Sequence, residues 1–303
     1  MSEAVQAPER PRAAGAEAAP HRPGVRVPAL LVVAAGCLVL AGLVYVLALG
    51  VDDLLRADRE LRFPQIVGDW RLRDEASYRF SQVTEIVFVA SGVLLLLGTL
   101  VLGGVRRAGV VAAAAGAGPL AAWVLAAALG ATDPVGGEAL RASQGAFPSG
   151  HAAVAMSLGL GLVIALPPRG RVAGGIVATA FATSVAAGVM ALGWHYPSDV
   201  LGALLVSIAA AALVVALAPA AGRSPVVRPG RSPWAPVALA GGAAALCAIL
   251  GAVALDRLPD ESAGAFADAH PRYIALVVVC AALSAAGAAI LAHLCGTTRL
   301  RGS

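Results

Sequence analysis

Long apolar runs recur along this chain of 303 residues, and they constrain its fold more than any other feature. Each of the eight runs is about 20 residues long, the length that a helix needs to cross the hydrocarbon core of a bilayer. The composition agrees, since 59% of residues are hydrophobic and only 13% are charged. The sequence therefore predicts an all-α fold, a polytopic membrane helix bundle with spans at about 28–50, 83–105, 109–130, 150–167, 172–194, 199–219, 234–255 and 272–295.

Polar segments divide the chain into four predicted parts. Residues 1–27 lack any apolar period and are expected to be a disordered cytoplasmic tail. Residues 28–219 hold six spans and form the predicted membrane core. Residues 220–233 belong to a proline-rich stretch that predicts a stiff cytoplasmic linker. Residues 234–303 supply two additional transmembrane helices and a short tail.

Two segments leave alternatives open. The first apolar run has the general form of a signal peptide, but its apolar core is longer than usual, which favours a retained span. Residues 52–82 mix charges with large apolar side chains and fit either a helix lying on the membrane surface or a solvated loop.

The placement of arginine predicts the orientation, since all 22 basic residues are arginine. With a cytoplasmic N-terminus, the inner segments carry 13 arginines and three acids, and the outer segments carry nine arginines and 15 acids. We therefore expect a multi-pass protein of the plasma membrane with both termini cytoplasmic. The net charge of +4 follows this topology, so no nucleic acid partner is expected. The sequence leaves the oligomeric state open.

A first polar motif, Phe147-Pro148-Ser149-Gly150-His151, stands directly before the fourth predicted span. Ser149 occupies the position expected for a helix N-cap. A helix N-terminus offers free N–H groups to an anion, and Gly150 allows close approach to the backbone. The alternative is an ordinary capped helix whose histidine lies at the membrane interface.

A second polar motif, His195-Tyr196-Pro197-Ser198-Asp199, stands before the sixth span. Pro197 marks a first helical turn, and the spacing of four residues can place His195 and Asp199 on one helical face. A carboxylate on one imidazole nitrogen leaves the other nitrogen as nucleophile or base. The alternative is a satisfied interfacial ion pair, although two such motifs on one membrane face favour a site.

Pro148-Ser149-Gly150-His151 and Gly193-Trp194-His195-Tyr196-Pro197-Ser198-Asp199 resemble two signature motifs of the type 2 phosphatidic acid phosphatase superfamily, which includes the vanadium haloperoxidases. The six spans from about 28 to 219 are similar to the membrane core of that family. The last two spans fall outside the resemblance.

The resemblance implies a metal-independent hydrolase of a lipid phosphate or prenyl diphosphate that needs no cofactor and acts through a phosphohistidine. By this analogy His195 is the nucleophile, Asp199 orients it, and His151 protonates the leaving oxygen. Ser149 and Gly150 are implied to hold phosphoryl oxygens. The four cysteines have no metal-ligand spacing, and no metal site is expected.

The sequence departs from the family's pattern at its cations. The family's first motif has a lysine and an arginine, where this chain has Ala126 and Asp133, and the third motif's serine-arginine pair is replaced by Gly188 and Val189. Each preorganised donor of this kind is worth about 10²–10³-fold in rate. Arg141, in the outer loop before the first motif, is a candidate phosphate-binding replacement, with a solvated loop arginine as the alternative.

Three interpretations follow from this pattern. The first is a divergent lipid phosphatase acting at the extracytoplasmic face of the bilayer. The second is a catalytically weak or inactive relative that binds a lipid head group or a partner protein. The third is a transporter whose histidines serve a proton or substrate path, and it is disfavoured because both histidines lie at the outer mouth of the spans. Glu85 is the clearest charged residue near the membrane, and it is either directed toward the site or a carboxylate that reaches the interface.

Overall fold

The structure is a computed structural model that describes residues 27–62, 70–129, 147–218 and 268–295. These residues form helices and short connections, without a strand in any of the four ranges. The helices are α1 (Val27–Gly50), α2 (Asp52–Arg62), α3 (Trp70–Leu129), α4 (Gly150–Ala165), α5 (Arg171–Ala191), α6 (Pro197–Leu217) and α7 (Pro271–Leu294), with one 3₁₀ turn at Pro168–Gly170.

The predicted all-α membrane bundle is confirmed. Within the described ranges, six helical segments are long and apolar enough to cross a bilayer: Val27–Ala48, Asp74–Val101, Gly103–Leu129, Pro168–Ala191, Pro197–Leu217 and Pro271–Leu294. Helices satisfy their backbone hydrogen bonds internally, which lipid cannot do for them. The predicted tail 1–27 lies outside the described residues except for Val27, which begins α1. The linker 220–233 and the span 234–255 lie wholly outside them.

The fourth predicted span, at 150–167, is shorter than the others. Helix α4 has 16 residues and is about 24 Å long at about 1.5 Å per residue. Most of its side chains are buried among the other helices. Because α4 is enclosed by protein, its length need not match the hydrocarbon thickness.

From α1 to α6 the helices that cross the bundle alternate in direction, and α7 begins at the same end as α6, so helix ends collect at two opposite ends of the bundle. We call one end the histidine end, because α4 and α6 begin there beside His151 and His195. The other is the arginine end, where the guanidinium of Arg107 donates to the carbonyls of Ile164 and Ala165 at the close of α4. This arrangement brings two motifs 44 residues apart in sequence to one end of the bundle.

Helix α3 crosses the bundle twice and bends sharply between the crossings. Gly104 has φ 73° and ψ 180°, a backbone conformation that glycine adopts without a steric penalty. The sequence places the first of these spans at about 83–105, whereas the apolar helix begins at Asp74. Its early charges do not end the helix, because pairs such as Arg79 with Glu75 satisfy each other one turn apart.

Helices α4 and α6 form the centre of the bundle and approach their neighbours through small residues. A Cβ atom added at Gly159 of α4 would lie 2.9 Å from the Cβ of Ala178 on α5. A Cβ added at Gly118 of α3 would lie 2.1 Å from the hydroxyl oxygen of Ser157. Small residues let helix backbones approach closely, and in lipid such packing replaces the hydrophobic effect between helices.

Helix α2 decides between the two interpretations of the segment that follows the first span. Residues 52–62 are helical, with charged and apolar residues on different faces, and the helix packs on α1, α5 and α6 at the histidine end. Two polar contacts fix it: Asp58 binds Ser198, and Glu60 accepts from Arg272 at 3.2 Å. A solvated loop is therefore wrong for residues 52–62.

Candidate active site

The first motif forms the start of α4, and Ser149 caps it as the sequence predicts. The Ser149 hydroxyl accepts a hydrogen bond from the Ala152 amide at 3.4 Å, and the residue is completely buried. Its own amide donates to the Asp199 carbonyl at 3.0 Å, which ties the beginnings of α4 and α6 together. Gly150 is exposed, and a Cβ added there would meet nothing within 4 Å.

The amides of Gly150 and His151 are available to an anion. They belong to the first turn of α4, where helical amides have no partner within the helix. Among the described residues, no group accepts a hydrogen bond from either amide. The helix dipole adds a partial positive charge at this point. The open space above Gly150 is therefore able to receive a negatively charged oxygen.

The second motif begins in a tight turn that joins α5 to α6. Gly193 has φ 69°, in the left-handed region that suits glycine. The amide of Trp194 donates to the Val189 carbonyl at 2.9 Å, and the amide of His195 approaches the same oxygen at 3.4 Å. The backbone that carries His195 is thus held against the last turns of α5.

The Asp199 carboxylate holds the histidine from the first turn of α6. Its Oδ2 accepts from the Tyr196 amide at 3.0 Å and lies 3.4 Å from Nδ1 of His195. The side chain of Asp199 is only 4% exposed and that of His195 is 14% exposed. The expected pairing is present, and it leaves Nε2 of His195 as the nitrogen that the carboxylate does not contact.

The expectation that His195 and Asp199 share a helical face is wrong in its geometry. Tyr196 is the N-cap of α6 and Pro197 is its first residue, so His195 precedes the helix. The pair meets because Asp199, at the third helical position, folds back toward the N-cap backbone in a capping arrangement.

His151 projects from the first turn of α4 into a group of aromatic rings. Its ring centroid lies 5.1 Å from that of Trp194 and 6.1 Å from that of Phe88. Trp194 is itself fixed, because its indole N–H donates to the Ser77 hydroxyl at 2.6 Å and its ring meets Phe80 edge-on. The His151 ring therefore packs beside an indole that is itself held in place.

The two histidines act on each other electrostatically. The charge of His151 is sensitive to that of His195, and also to the carboxylate of Glu85 on α3. Glu85 itself lies within reach of the Ser81 hydroxyl, which donates to it at 3.2 Å. The fold thus brings together His151, His195 and Asp199, which the sequence proposes as catalytic, with Ser149 and Gly150 beside them.

Asp58 of α2 is a further residue of this region that sequence reasoning missed. Its carboxylate accepts from the Ser198 amide at 2.9 Å and from the Ser198 hydroxyl at 2.5 Å. Burial raises the pKa of Asp58, and repulsion by Asp199 adds to this, although the hydrogen bonds from Ser198 oppose it. The amphipathic pattern of residues 52–62 indicates a packed helix, but nothing in it pairs Asp58 with a residue 140 positions away.

The position where the family's third motif carries its arginine, and the serine position before it, have no room for those side chains in this fold. Val189 is completely buried, and its carbonyl receives the turn amides. A side chain at Gly188 would collide with Phe80, whose ring carbon lies 2.4 Å from an added Cβ. Ala126 lies in the last turn of α3, while Asp133 and Arg141 lie outside the described residues. The predicted role of Arg141 therefore stays a prediction.

The described ranges contain no cluster of three or more His, Cys, Asp or Glu side chains arranged to hold a metal ion. The polar groups of the candidate site are instead the imidazoles of His151 and His195, the carboxylate of Asp199 with those of Asp58 and Glu85 near it, and the amides of a helix start. Together the fold and this site define a polytopic helical membrane protein with a histidine-carboxylate centre at one end of its bundle.

Comparison with known families agrees with the motif resemblance. Residues 126–223 match the model of the PAP2 superfamily. The matched segment runs from the end of α3 through α6 and includes both histidine motifs, so the predicted resemblance is confirmed over this part of the chain. No curated protein and no solved structure matches the chain.

Proposed function

We propose that this protein is an integral membrane phosphatase that hydrolyses a lipid phosphate or a prenyl diphosphate at the histidine end of the bundle. The observation that carries this proposal is the pairing of Nδ1 of His195 with Asp199. This pairing leaves Nε2 of His195 for attack, at the end of the bundle that also holds the imidazole of His151 and the exposed start of α4 at Gly150. The superfamily match over both motifs supports the same chemistry.

In the first step Nε2 of His195 attacks phosphorus, so that an N–P bond forms while the bond to the leaving oxygen breaks. Asp199 keeps the proton on Nδ1 and stabilises the positive charge that develops on the ring. His151, in its protonated form, gives a proton to the leaving oxygen. The amides of Gly150 and His151 receive the phosphoryl oxygens at the start of α4.

In the second step a water molecule attacks the phosphohistidine. His151, now neutral, takes a proton from that water while the N–P bond breaks and inorganic phosphate leaves. His195 and His151 return to their starting protonation states, so the cycle balances. The separation of 3.4 Å between Nδ1 of His195 and Asp199 is long for a hydrogen bond, and such contacts commonly tighten when substrate binds.

A lipid substrate fits the position of the site at the end of a bundle that crosses the membrane. Trp194 and Tyr196, on either side of His195, are residues that favour the membrane interface. The arginine distribution predicts that the histidine end faces the extracytoplasmic side of the plasma membrane. We therefore propose that the substrate enters from the outer leaflet.

The charges around the site favour a second candidate function. Asp58 and Asp199 repel each other through their negative charges. Within the part of the chain that the structure describes, no arginine side chain forms a hydrogen bond or an ion pair with His151, His195 or Asp199. A phosphate dianion binds weakly without compensating cations. The alternative is therefore an inactive relative that uses the same end of the bundle to bind a head group or a partner protein.

Phosphate release from a short-chain phosphatidic acid and from a prenyl diphosphate, measured in detergent with EDTA, tests the catalytic proposal. We expect release by the intact chain and its loss, by at least about 10³-fold, in His195→Ala, because the nucleophile is removed. His270→Ala is the matched control, since His270 precedes α7 at the same end of the bundle. Equal turnover of His195→Ala and the intact protein would refute the phosphohistidine mechanism.

Vanadate binding tests whether the histidine end has an anion site, which both candidate functions require. Vanadate resembles the transferred phosphoryl group, so we expect millimolar vanadate to raise the Tm of both the active protein and an inactive relative that keeps the site. A Tm rise without any phosphate release supports the binding protein. If vanadate leaves the Tm unchanged, the helix start alone does not bind the anion and the phosphatase proposal loses its phosphate site.

A further inference from the structure

A long groove lies between α5 and α7, away from the histidine motifs. It has a volume of about 910 Å³ and is walled mainly by small residues such as Gly175, Ala285 and Ala289. Its lining follows α5 from Arg171 to Ala187, which is about 24 Å at about 1.5 Å per residue. The groove is open to the surface, since Val172 on its edge is 74% exposed.

Among the described residues that line the groove, the charged side chain is that of Arg171, at one end of it. Arg171 and His293 line it at the arginine end. Arg171 is only 3% exposed, and it donates from Nε to the Leu166 carbonyl and from Nη1 to the Ala292 carbonyl, both at 3.2 Å. These bonds hold the guanidinium at the place where the groove ends.

A second buried guanidinium lies near the first. Arg107 is 4% exposed, and the charges of Arg107 and Arg171 repel each other. The Nε and Nη1 atoms of Arg107 are buried, and none of the residues in the four described ranges accepts a hydrogen bond from them. A buried charge is costly unless an opposite charge or hydrogen bonds compensate it.

The described part of the chain supplies no carboxylate at the arginine end. Its acidic residues belong to the histidine end: Asp52, Asp53, Asp58, Glu60, Asp74, Glu75, Glu85, Asp199 and Asp268. Helix C-terminal carbonyls compensate the two guanidiniums in part. A full negative charge at the groove's end would complement them much better.

We propose that this groove binds an anionic phospholipid from the leaflet at the arginine end, with its phosphate at Arg171 and His293 and one acyl chain along α5. Small residues leave room for the chain, and the edge of the groove opens sideways to the bilayer. With the orientation that the arginines predict, this leaflet is the cytoplasmic one. The site is separate from the histidine motifs and does not depend on the phosphatase proposal.

Native mass spectrometry and thermal unfolding of the full chain test the site, with phosphatidylglycerol and phosphatidylcholine of identical acyl chains as probes. We expect phosphatidylglycerol to bind about tenfold more tightly, since a charge-assisted contact at the head group distinguishes the two lipids. It should raise the Tm in a saturable manner. Equal binding of the two lipids would overturn the proposal.

Two pairs of matched variants locate the binding. Ala289→Trp places an indole in the groove and should abolish the preference, whereas Ala286→Trp, exposed on α7 outside the lining, should retain it. Arg171→Gln should reduce the preference, and Arg169→Gln, an exposed arginine at the same end, should not. Because Arg171 also binds backbone carbonyls, Ala289→Trp remains decisive if Arg171→Gln fails to fold.

Other occupants of the groove give different results. Dimerisation that Ala289→Trp abolishes would show that a second copy fills the groove. Cross-linking of residues 234–255 to a cysteine introduced at Ala285 would show that another segment of the chain covers it. Either result, without selective binding of phosphatidylglycerol, overturns the lipid site.

Discussion

Replacement of Asp58 tests whether α2 is fixed to the start of α6 by its carboxylate. In Asp58→Ala, the Ser198 amide and hydroxyl lose an acceptor that lies 2.9 and 2.5 Å away. Hydrogen bonds to a charged group are worth about 1.5–3 kcal/mol each. The substitution also removes the cost of burying the Asp58 carboxylate, which offsets part of the lost hydrogen-bond energy. We therefore expect a net loss of about 1–3 kcal/mol in the free energy of unfolding.

Asp58→Asn should have a different effect from Asp58→Ala. The amide oxygen still accepts from Ser198, while the negative charge beside Asp199 is removed. Burial and Asp199 raise the pKa of Asp58, which means that the folded protein disfavours the ionised carboxylate. At neutral pH we therefore expect Asp58→Asn to be at least as stable as the natural chain.

The pH dependence follows from the same pKa shift. Between the ordinary pKa of an aspartate and the raised pKa of Asp58, the folded protein binds more protons than the unfolded chain. This contribution to stability is present at acidic pH and is lost as pH rises through that window. The stability advantage of Asp58→Asn should accordingly shrink as pH falls.

Intrinsic fluorescence during thermal or denaturant unfolding in detergent, at several pH values, measures these differences. Protease accessibility of α2 reports whether the helix detaches. Asp53→Ala is the matched control, because its exposed pair with Arg56 has an N–O distance of 3.9 Å and contributes little. If Asp58→Ala is as stable as the natural chain, or if Asp58→Asn is the less stable of the two variants, the assigned role of Asp58 is wrong.

Two further substitutions test the packing that positions the site. Gly118→Val should lower the free energy of unfolding by about 1–3 kcal/mol, since even a Cβ there lies 2.1 Å from the Ser157 hydroxyl and 2.9 Å from that of Ser207. Gly116→Val, where a Cβ meets nothing within 4 Å, should cost much less in the same unfolding measurement, and equal losses would contradict the packing argument. Gly193→Ala should cost about 1 kcal/mol because φ is 69° there, and it should reduce phosphate release by displacing the nucleophile. Unchanged Tm and turnover would show that the turn does not require glycine.

The membrane bundle was predictable because the property that produces it, the length and hydrophobicity of each apolar run, belongs to one segment at a time. An apolar run of about 20 residues forms a helix in a bilayer whichever helices surround it. The beginnings of α4 and α6 were equally readable, since Ser149 and Pro197 are short-range helix signals. The two histidine motifs could therefore be assigned to helix starts from the sequence.

The details that the sequence prediction missed depend on how segments pack. Charges before residue 83 suggested a later start for the second span, but the helix already begins by Trp70 and its charges pair one turn apart. Arg107 and Arg171 are two of the 13 arginines counted in the predicted inner segments, and the fold buries both of them at the C-terminal carbonyls of α4 and α7. Buried arginine contacts of this kind depend on the neighbouring helices and leave no local pattern.

The sequence by itself determined that this chain is a helical membrane protein with two histidine motifs resembling those of a phosphatase family. Hydropathy and helix signals are properties of contiguous residues, so they can be read along the chain. Only the tertiary structure decided that Asp199 reaches His195 by folding back at a helix start. It also decided that the Trp194 ring packs beside His151 and that Asp58 binds Ser198. These contacts join residues on different helices or across a turn, and their geometry is set by packing that no single segment encodes.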